Sequence, residues 1–189
     1  MNYLLDSHTH TVASGHAYST VLEMARAAAE KGLELLCITD HAPGMEGTTC
    51  RDYFANSRVI DRELFGVQIM VGAELNLMDC EGQVDLDTAM LAKLDLAIVS
   101  LHTKCLPTGG CAETYTHGLL EAMKNPYVTI IGHPDDGRYP LDYPALVRAA
   151  GEAGVLLEVN NSSLTPGSFR VDAPRHCAEM LRECKKQGV

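Results

Sequence analysis

Basic residues are scarce in this sequence: 15 Lys and Arg stand against 25 Asp and Glu, a formal net charge of −10. Such a surface repels a polyanion, so no nucleic acid is expected as a partner. Bound divalent cations would create a local positive site, which leaves a small phosphate ester open. There is no CxxC pair. The seven cysteines (Cys37, Cys50, Cys80, Cys105, Cys111, Cys177 and Cys184) are odd in number and scattered, which excludes a zinc-finger spacing. No apolar run approaches transmembrane length, and nothing ahead of Met1-Asn2-Tyr3 reads as a signal peptide. The expectation is the reduced cytoplasm, no membrane, and cysteines that serve as small core residues, Cys37 in ELLCIT most clearly. Linkers and low-complexity tracts are also lacking. At 189 residues and 46% hydrophobic, the chain is read as one domain, 1–189, with a sizeable core.

What is present is a rhythm. Strand-like runs at 2–6 (NYLLD), 34–39 (ELLCIT), 67–73 (VQIMVGA), 95–101 (DLAIVSL), 127–132 (YVTIIG) and 155–159 (VLLEV) alternate with amphipathic helical patterns. TVLEMARAAAEKG has a capping-box form at Thr20 and Glu23 and a stop at Gly32. YPALVRAAGEAG at 143–154 and APRHCAEMLRECKKQG at 173–188 also read as helices, and further helices are expected over 51–64 and 111–124. MDCEGQVD suggests a small hairpin or excursion after the third strand. Alternation of this kind implies an α/β fold, a parallel sheet or barrel.

DSHTHT, on the first strand, places Asp6, His8 and His10 on one face, because successive side chains of a strand alternate. Later strands end at Asp40-His41, Glu74, His102, His133 and Asn160. From His10 these positions lie 31, 33, 28, 31 and 27 residues apart, about one βα unit each. In a barrel of parallel strands such ends converge on one mouth. Core packing gives no reason for ligand types to repeat there, so a metal centre is expected. His117 and His176 fall in helices, out of the rhythm, and receive no role.

Imidazole and carboxylate without thiolate suit Zn, Mn or Fe(II). His8, His10, His16, His41, Glu74, His102 and His133 are more ligands than one ion takes, and Glu74 has two oxygens with which to bridge. A multinuclear centre generates hydroxide at neutral pH while neutralising a phosphoryl or carbonyl oxygen, which is hydrolytic chemistry.

DSHTHT, VASGHAYST, ITDHAPGMEG, GAELN, SLHT, IGHPDD and LEVNNSS, taken together and in order, resemble the PHP (polymerase and histidinol phosphatase) family. The likeness is greatest to its small bacterial phosphoesterases of the YcdX type. It implies a distorted (β/α)7 barrel, TIM-like, with a trinuclear site of two to three divalent metals, usually zinc. Position by position, it implies that His8, His10 and Glu74 hold the first metal. Glu74 bridges to the second, with His102 and His133, and His16 and His41 hold the third. Glu74, His102 and His133 then stand at the catalytic heart, where a metal-bound hydroxide attacks a small phosphomonoester. Asn160, Asn161, Ser162 and Ser163 are candidate donors to the substrate phosphate, and Arg170 is a candidate clamp.

The pattern also predicts a seventh strand after Gly188, carrying an Asp-x-His motif that this sequence does not contain. A C-terminally truncated domain is therefore expected, with a weak third site and open barrel edges that a homo-oligomer would cover. Asp135 and Asp136 are conceivable substitute ligands, although a turn suits them better. Two other functions compete. One is a related amidohydrolase or deaminase, for which Lys104 lies beyond its strand end and no late aspartate is visible. The other is a catalytically impaired metal-binding or interaction module.

Overall fold

The structure, a computed structural model, describes residues 3–189. The chain divides into two compact units, Met1–Leu75 with Leu86–Ile98, and Asn76–Asp85 with Val99–Val189.

In the first unit the parallel strands β1 (Leu5–Thr9), β2 (Leu35–Ile38) and β4 (Val67–Asn76) lie side by side, with β3 (Glu63–Leu64) antiparallel to β4. The first residues of β5 (Leu96–Ser100) follow, entered through a bond from Asp95 N–H to Val71 O. Helix α1 (Val21–Glu30) begins where the sequence predicts. Thr20 Oγ1 accepts from Glu23 N–H at 3.4 Å, and Glu23 returns a carboxylate oxygen to Thr20 N–H at 2.7 Å. The small residues Ala25 and Ala28 let α1 lie close on the sheet, where Leu36, Ile38, Val67, Ile69 and Val71 complete a buried core.

Two expectations need correcting here. The first strand was expected over 2–6; Asn2 lies outside the described residues, and β1 runs on to Thr9. Hydroxyl groups extend the pairing: Thr9 Oγ1 donates to Cys37 O at 2.6 Å, and Thr9 N–H donates to Thr39 Oγ1 at 3.0 Å. The register against β2 shifts between Asp6 and Thr9. The second correction is over 51–64, expected as helix. Only α2 (Arg51–Ala55) and a 3-10 turn (Ser57–Val59) form before Ile60 turns extended and β3 begins. Phe65 and Gly66, with φ of 56° and 79°, make a tight two-residue turn into β4, so β3 is captured as a hairpin strand. Helix α3 (Thr88–Leu91), capped by Asp87, was not foreseen.

The second unit holds the end of β5, then β6 (Ile130–Ile131) and β7 (Leu156–Leu157), which pair in parallel. Its helices are α4 (Ala112–Ala122), α5 (Tyr143–Ala153), the short α6 (Asn161–Leu164) and α7 (Ala173–Gln187). Helix α5 is bounded as its sequence dictates: Asp142 caps Ala145 N–H, Pro144 sits in the first turn, and Gly154 ends it at φ 68°. It packs on α7, with Leu146, Val147, Ala150, Ala173, Cys177 and Met180 buried. The excursion after β4 is a small hairpin closed by Met78 N–H to Gln83 O at 2.8 Å, with Gly82 at φ 88°.

Among the described residues, no helix is long and apolar enough to cross a membrane.

Candidate metal centre

In the first unit, three imidazoles gather about one carboxylate, with a fourth beside them. Main-chain bonds put them there. Beyond β2 the parallel pairing continues as an isolated bridge between His41 and Glu74, with Glu74 N–H on Asp40 O at 3.1 Å and Ala42 N–H on Glu74 O at 2.8 Å. Glu74 lies within β4, 1% exposed. Its Oε1 is 3.2 Å from His8 Nε2, and its Oε2 is 3.3 Å from His10 Nε2 and 2.8 Å from His41 Nδ1. The His10 ring centroid is 5.2 Å from that of His8, 5.0 Å from that of His16 and 4.5 Å from that of His41. One nitrogen from each of His10, His16 and His41 falls within 4.8 Å of the others.

His16 rides a loop held by close backbone approach. Gly15 has φ 72°, and a Cβ on it would sit 2.3 Å from Gly47 O. Only glycine meets both conditions without a shift.

A second layer supports these rings. Asp40, fully buried, accepts from Thr11 N–H at 2.7 Å, Thr11 Oγ1 at 2.8 Å, Ser14 Oγ at 2.6 Å and Tyr53 Oη at 2.5 Å. Burial and the Asp40 bond push the Tyr53 phenol well above its ordinary value, so it stays a donor. Ser14 Oγ in turn receives His41 N–H at 3.0 Å and lies 3.0 Å from His10 Nδ1. His41 O accepts from Thr49 Oγ1 at 2.5 Å.

In the second unit, His102 and His133 lie two residues beyond the ends of β5 and β6, ring centroids 5.3 Å apart. His102 Nδ1 is 2.7 Å from Asn76 Oδ1, and Asn76 Nδ2 donates to Asp85 Oδ2 at 2.6 Å. His133 adopts a left-handed backbone, φ 29°, and its N–H donates to Glu158 Oε2 at 2.6 Å. Glu158 Oε1 accepts from Asn160 Nδ2 at 2.9 Å.

The candidate phosphate residues fall into two kinds. Asn160 caps α6 through Ser163 N–H at 3.0 Å, and buried Ser163 donates to Asp135 Oδ1 at 2.9 Å. Asn161 and Ser162 are exposed. Arg170 Nη1 reaches Ser163 Oγ at 3.1 Å and Asn160 Oδ1 at 3.3 Å, so all three belong to one network. Asp136 sits in a turn, held by Arg138 Nε at 3.0 Å; burial pushes its carboxyl up, but the Arg138 hydrogen bonds outweigh that and leave it low. Asp135 is buried, with its Oδ2 lacking a hydrogen-bond partner among the described residues, and burial raises its carboxyl. His117 lies at the surface, 3.8 Å from Glu81, and His176 packs near the Tyr143 ring. Sequence reasoning placed Asp40 at a strand end without giving it a role, and missed Ser14, Asn76 and Glu158. Asp40 and Asn76 stand inside the very motifs ITDH and GAELN, which was the available signal.

The PHP domain model matches residues 6–162. The chain belongs to the PHP domain family. Among curated relatives, a probable phosphatase of Thermoanaerobacter sp. strain X514 is 45% identical over 189 residues, covering 100% of this chain and 76% of that protein. A probable phosphatase of Caldanaerobacter subterraneus subsp. tengcongensis is 46% identical, again over 100% of this chain and 74% of its own length. One from Photobacterium profundum is 42% identical over 188 residues, 100% of this chain and 75% of the relative. Among solved structures, histidinol phosphate phosphatase from Lactococcus lactis, complexed with zinc, L-histidinol and phosphate, superposes with a TM-score of 0.59. It covers 97% of this chain and 81% of its own at 17% identity, a likeness of fold alone. The α/β PHP architecture is thereby established for this chain.

Proposed function

We propose that this PHP domain is a metal-dependent phosphatase acting on a small phosphomonoester. The observation that carries the reading is the gathering of His8, His10 and His41 on the buried carboxylate of Glu74, with His16 beside them. Four imidazoles in such proximity repel one another when protonated, and the buried carboxylate of Glu74 among them calls for a cation. The donor set fits a divalent transition metal: nitrogen and carboxylate oxygen, no sulfur, with one ligand atom from each of His10, His16 and His41 within 4.8 Å of the others. His8, His10, His16, His41 and Glu74 would hold metal in the first unit, and His102 with His133 in the second. Two to three ions are expected, zinc first, with Mn or Fe as substitutes.

When bound, the ions supply activation of water and neutralisation of charge on the phosphoryl oxygens. The rest falls to the chain. Glu74 balances the cationic charge and keeps the imidazoles aimed. Asn76 and Glu158 hold the His102 ring and the His133 backbone in place. Arg170 presents the planar fork suited to a phosphate, with Asn161 and Ser162 exposed near it in sequence and able to donate. The names of the curated relatives support the phosphatase reading, as does the histidinol phosphate phosphatase of like fold. Seven free cysteines suit a reducing compartment, which we take to be the cytoplasm.

The test is release of inorganic phosphate from a panel of phosphomonoesters, histidinol phosphate included, by chelator-treated protein with Zn or Mn restored. Turnover that depends on metal and falls at least tenfold in Glu74→Gln is expected, while Arg170→Ala should raise KM more than it lowers kcat. Absence of turnover on every ester, with metal shown to be bound, would reject the activity.

A further inference from the structure

We propose that two side-chain relays set the tautomers of His10 and His102 before any metal arrives, making Ser14 and Asn76 positioning residues of the centre. The proposal rests on the metal-binding reading above, but not on which substrate is cleaved.

Proton positions follow from the contacts. Ser14 Oγ carries one hydrogen. It faces three groups: Asp40 Oδ1 at 2.6 Å, His41 N–H at 3.0 Å and His10 Nδ1 at 3.0 Å. The His41 amide can only donate. Asp40 takes its other bonds from the Thr11 amide, the Thr11 hydroxyl and the Tyr53 phenol, and so faces Ser14 as an acceptor. The serine proton therefore lies toward Asp40, since two oxygens at 2.6 Å without a proton between them repel. Ser14 is left with lone pairs only for His10. The contact exists as a hydrogen bond only if His10 carries its proton on Nδ1. In the neutral ring the His10 lone pair is then on Nε2, which faces Glu74 Oε2 from 3.3 Å, two acceptors between which a cation fits.

The second relay is chemically different and reaches the same end. Asn76 is fully buried, and its amide could be placed either way round. Asp85 decides: its Oδ2 lies 2.6 Å from one terminal atom of Asn76, which must be the donating Nδ2, while Asp85 Oδ1 accepts Asn76 N–H at 2.9 Å. Asn76 Oδ1 is thereby turned to His102 Nδ1 at 2.7 Å, so that nitrogen holds the proton and Nε2 remains the ligand atom. In each unit a carboxylate one group removed from the ring makes the choice.

The consequence is a site that binds metal without first paying to exchange tautomers; free imidazole in water prefers the Nε2–H form, in which the ligand atom is blocked. Supporting partners of this kind are typically worth roughly 10- to 100-fold in metal affinity.

The test is a long-range ¹H–¹⁵N spectrum of histidine-labelled, metal-free full chain at pH 8, with the two rings assigned from His10→Gln and His102→Gln. Nδ1–H is expected for both in the wild type. Ser14→Ala should return His10 to the Nε2–H form or a mixture, and Asn76→Leu should do so for His102, each leaving the other ring unchanged. Tyr53→Phe removes a bond from Asp40 without touching the relay, so it should shift stability but not the His10 tautomer. Chelator competition for Zn should then show affinity lowered about tenfold or more in the two relay variants and within twofold in Tyr53→Phe. Nε2–H on His10 or His102 in the wild type would overturn the proposal even if the protein binds zinc and cleaves esters. Nδ1–H on both rings in a chain that takes up no divalent metal would instead defeat the function proposed above while leaving the relays standing.

Discussion

Glu158 offers the sharpest test of how the second unit is held. Its carboxylate bonds the His133 amide at 2.6 Å and the Asn160 side chain at 2.9 Å. Glu158→Ala removes both partners. His133 is 4% exposed, so its N–H would be left without an acceptor at a cost of about 1–3 kcal/mol. The lost Asn160 bond adds about 0.5–1.5 kcal/mol. A left-handed backbone at His133, φ 29°, is tolerated only because its surroundings insist on it, so part of that cost returns as the residue relaxes. The net expectation is a loss of about 2–3 kcal/mol. Glu158→Gln keeps an acceptor for His133 but turns its amide nitrogen to the donating Asn160 Nδ2, so it loses the charge assistance and the Asn160 bond and should cost about 1–2 kcal/mol, less than the alanine. Urea unfolding of metal-free protein measures both. Hydrogen exchange of the amides around His133 shows whether the loss is local, which matters because a chain of two units need not unfold in one step. Both variants within 0.5 kcal/mol of the wild type, with exchange at His133 unaltered, would refute the reasoning.

Two further predictions follow from single residues. Gly15→Ala and Gly32→Ala impose the same left-handed strain, φ 72° and 75°, worth about 1–2 kcal/mol. Only at Gly15 would the new methyl also meet backbone, Gly47 O at 2.3 Å, so urea midpoints should show it distinctly the more damaging of the two; equal losses would mean the Gly47 loop yields freely. Burial raises the Asp135 carboxyl, so the folded chain binds that proton more tightly than the unfolded one. Stability must then fall as pH rises from the ordinary carboxylate value, about 3.9, toward the raised one. Asp135→Asn keeps an acceptor for Ser163 and does not titrate, so it should gain on the wild type between pH 3 and pH 7. A gap that does not change with pH would contradict the shift.

Much of this was legible in the sequence because two kinds of signal are local. Helix α1 was bounded by its own capping box and by Gly32, and α5 by Asp142 and Gly154, none of which needs a tertiary partner. The spacing of His10, His41, Glu74, His102 and His133 reflects the length of a βα unit, which the order of apolar runs reveals. Residues 51–64 were misread because the Phe65-Gly66 turn and pairing with β4 override a weak helical pattern. The span of β1 was misplaced because hydroxyls of Thr9 and Thr39, not apolar side chains, carry the pairing to its end. The supporting residues were invisible for a different reason. Ser14, Asn76 and Glu158 act by the direction of a single hydrogen bond to a partner 4, 26 or 25 residues away, and residue type alone does not encode direction.

The bridge that joins His41 to Glu74 is made entirely of main-chain groups: Asp40 O, Glu74 N–H, Glu74 O and Ala42 N–H. Backbone amides do not care which side chains they carry. The scaffold can therefore outlive its ligands: exchanging an imidazole for a carboxylate, or for an inert residue, leaves the frame that aimed it intact. Chemistry here is a replaceable fitting on a permanent mount.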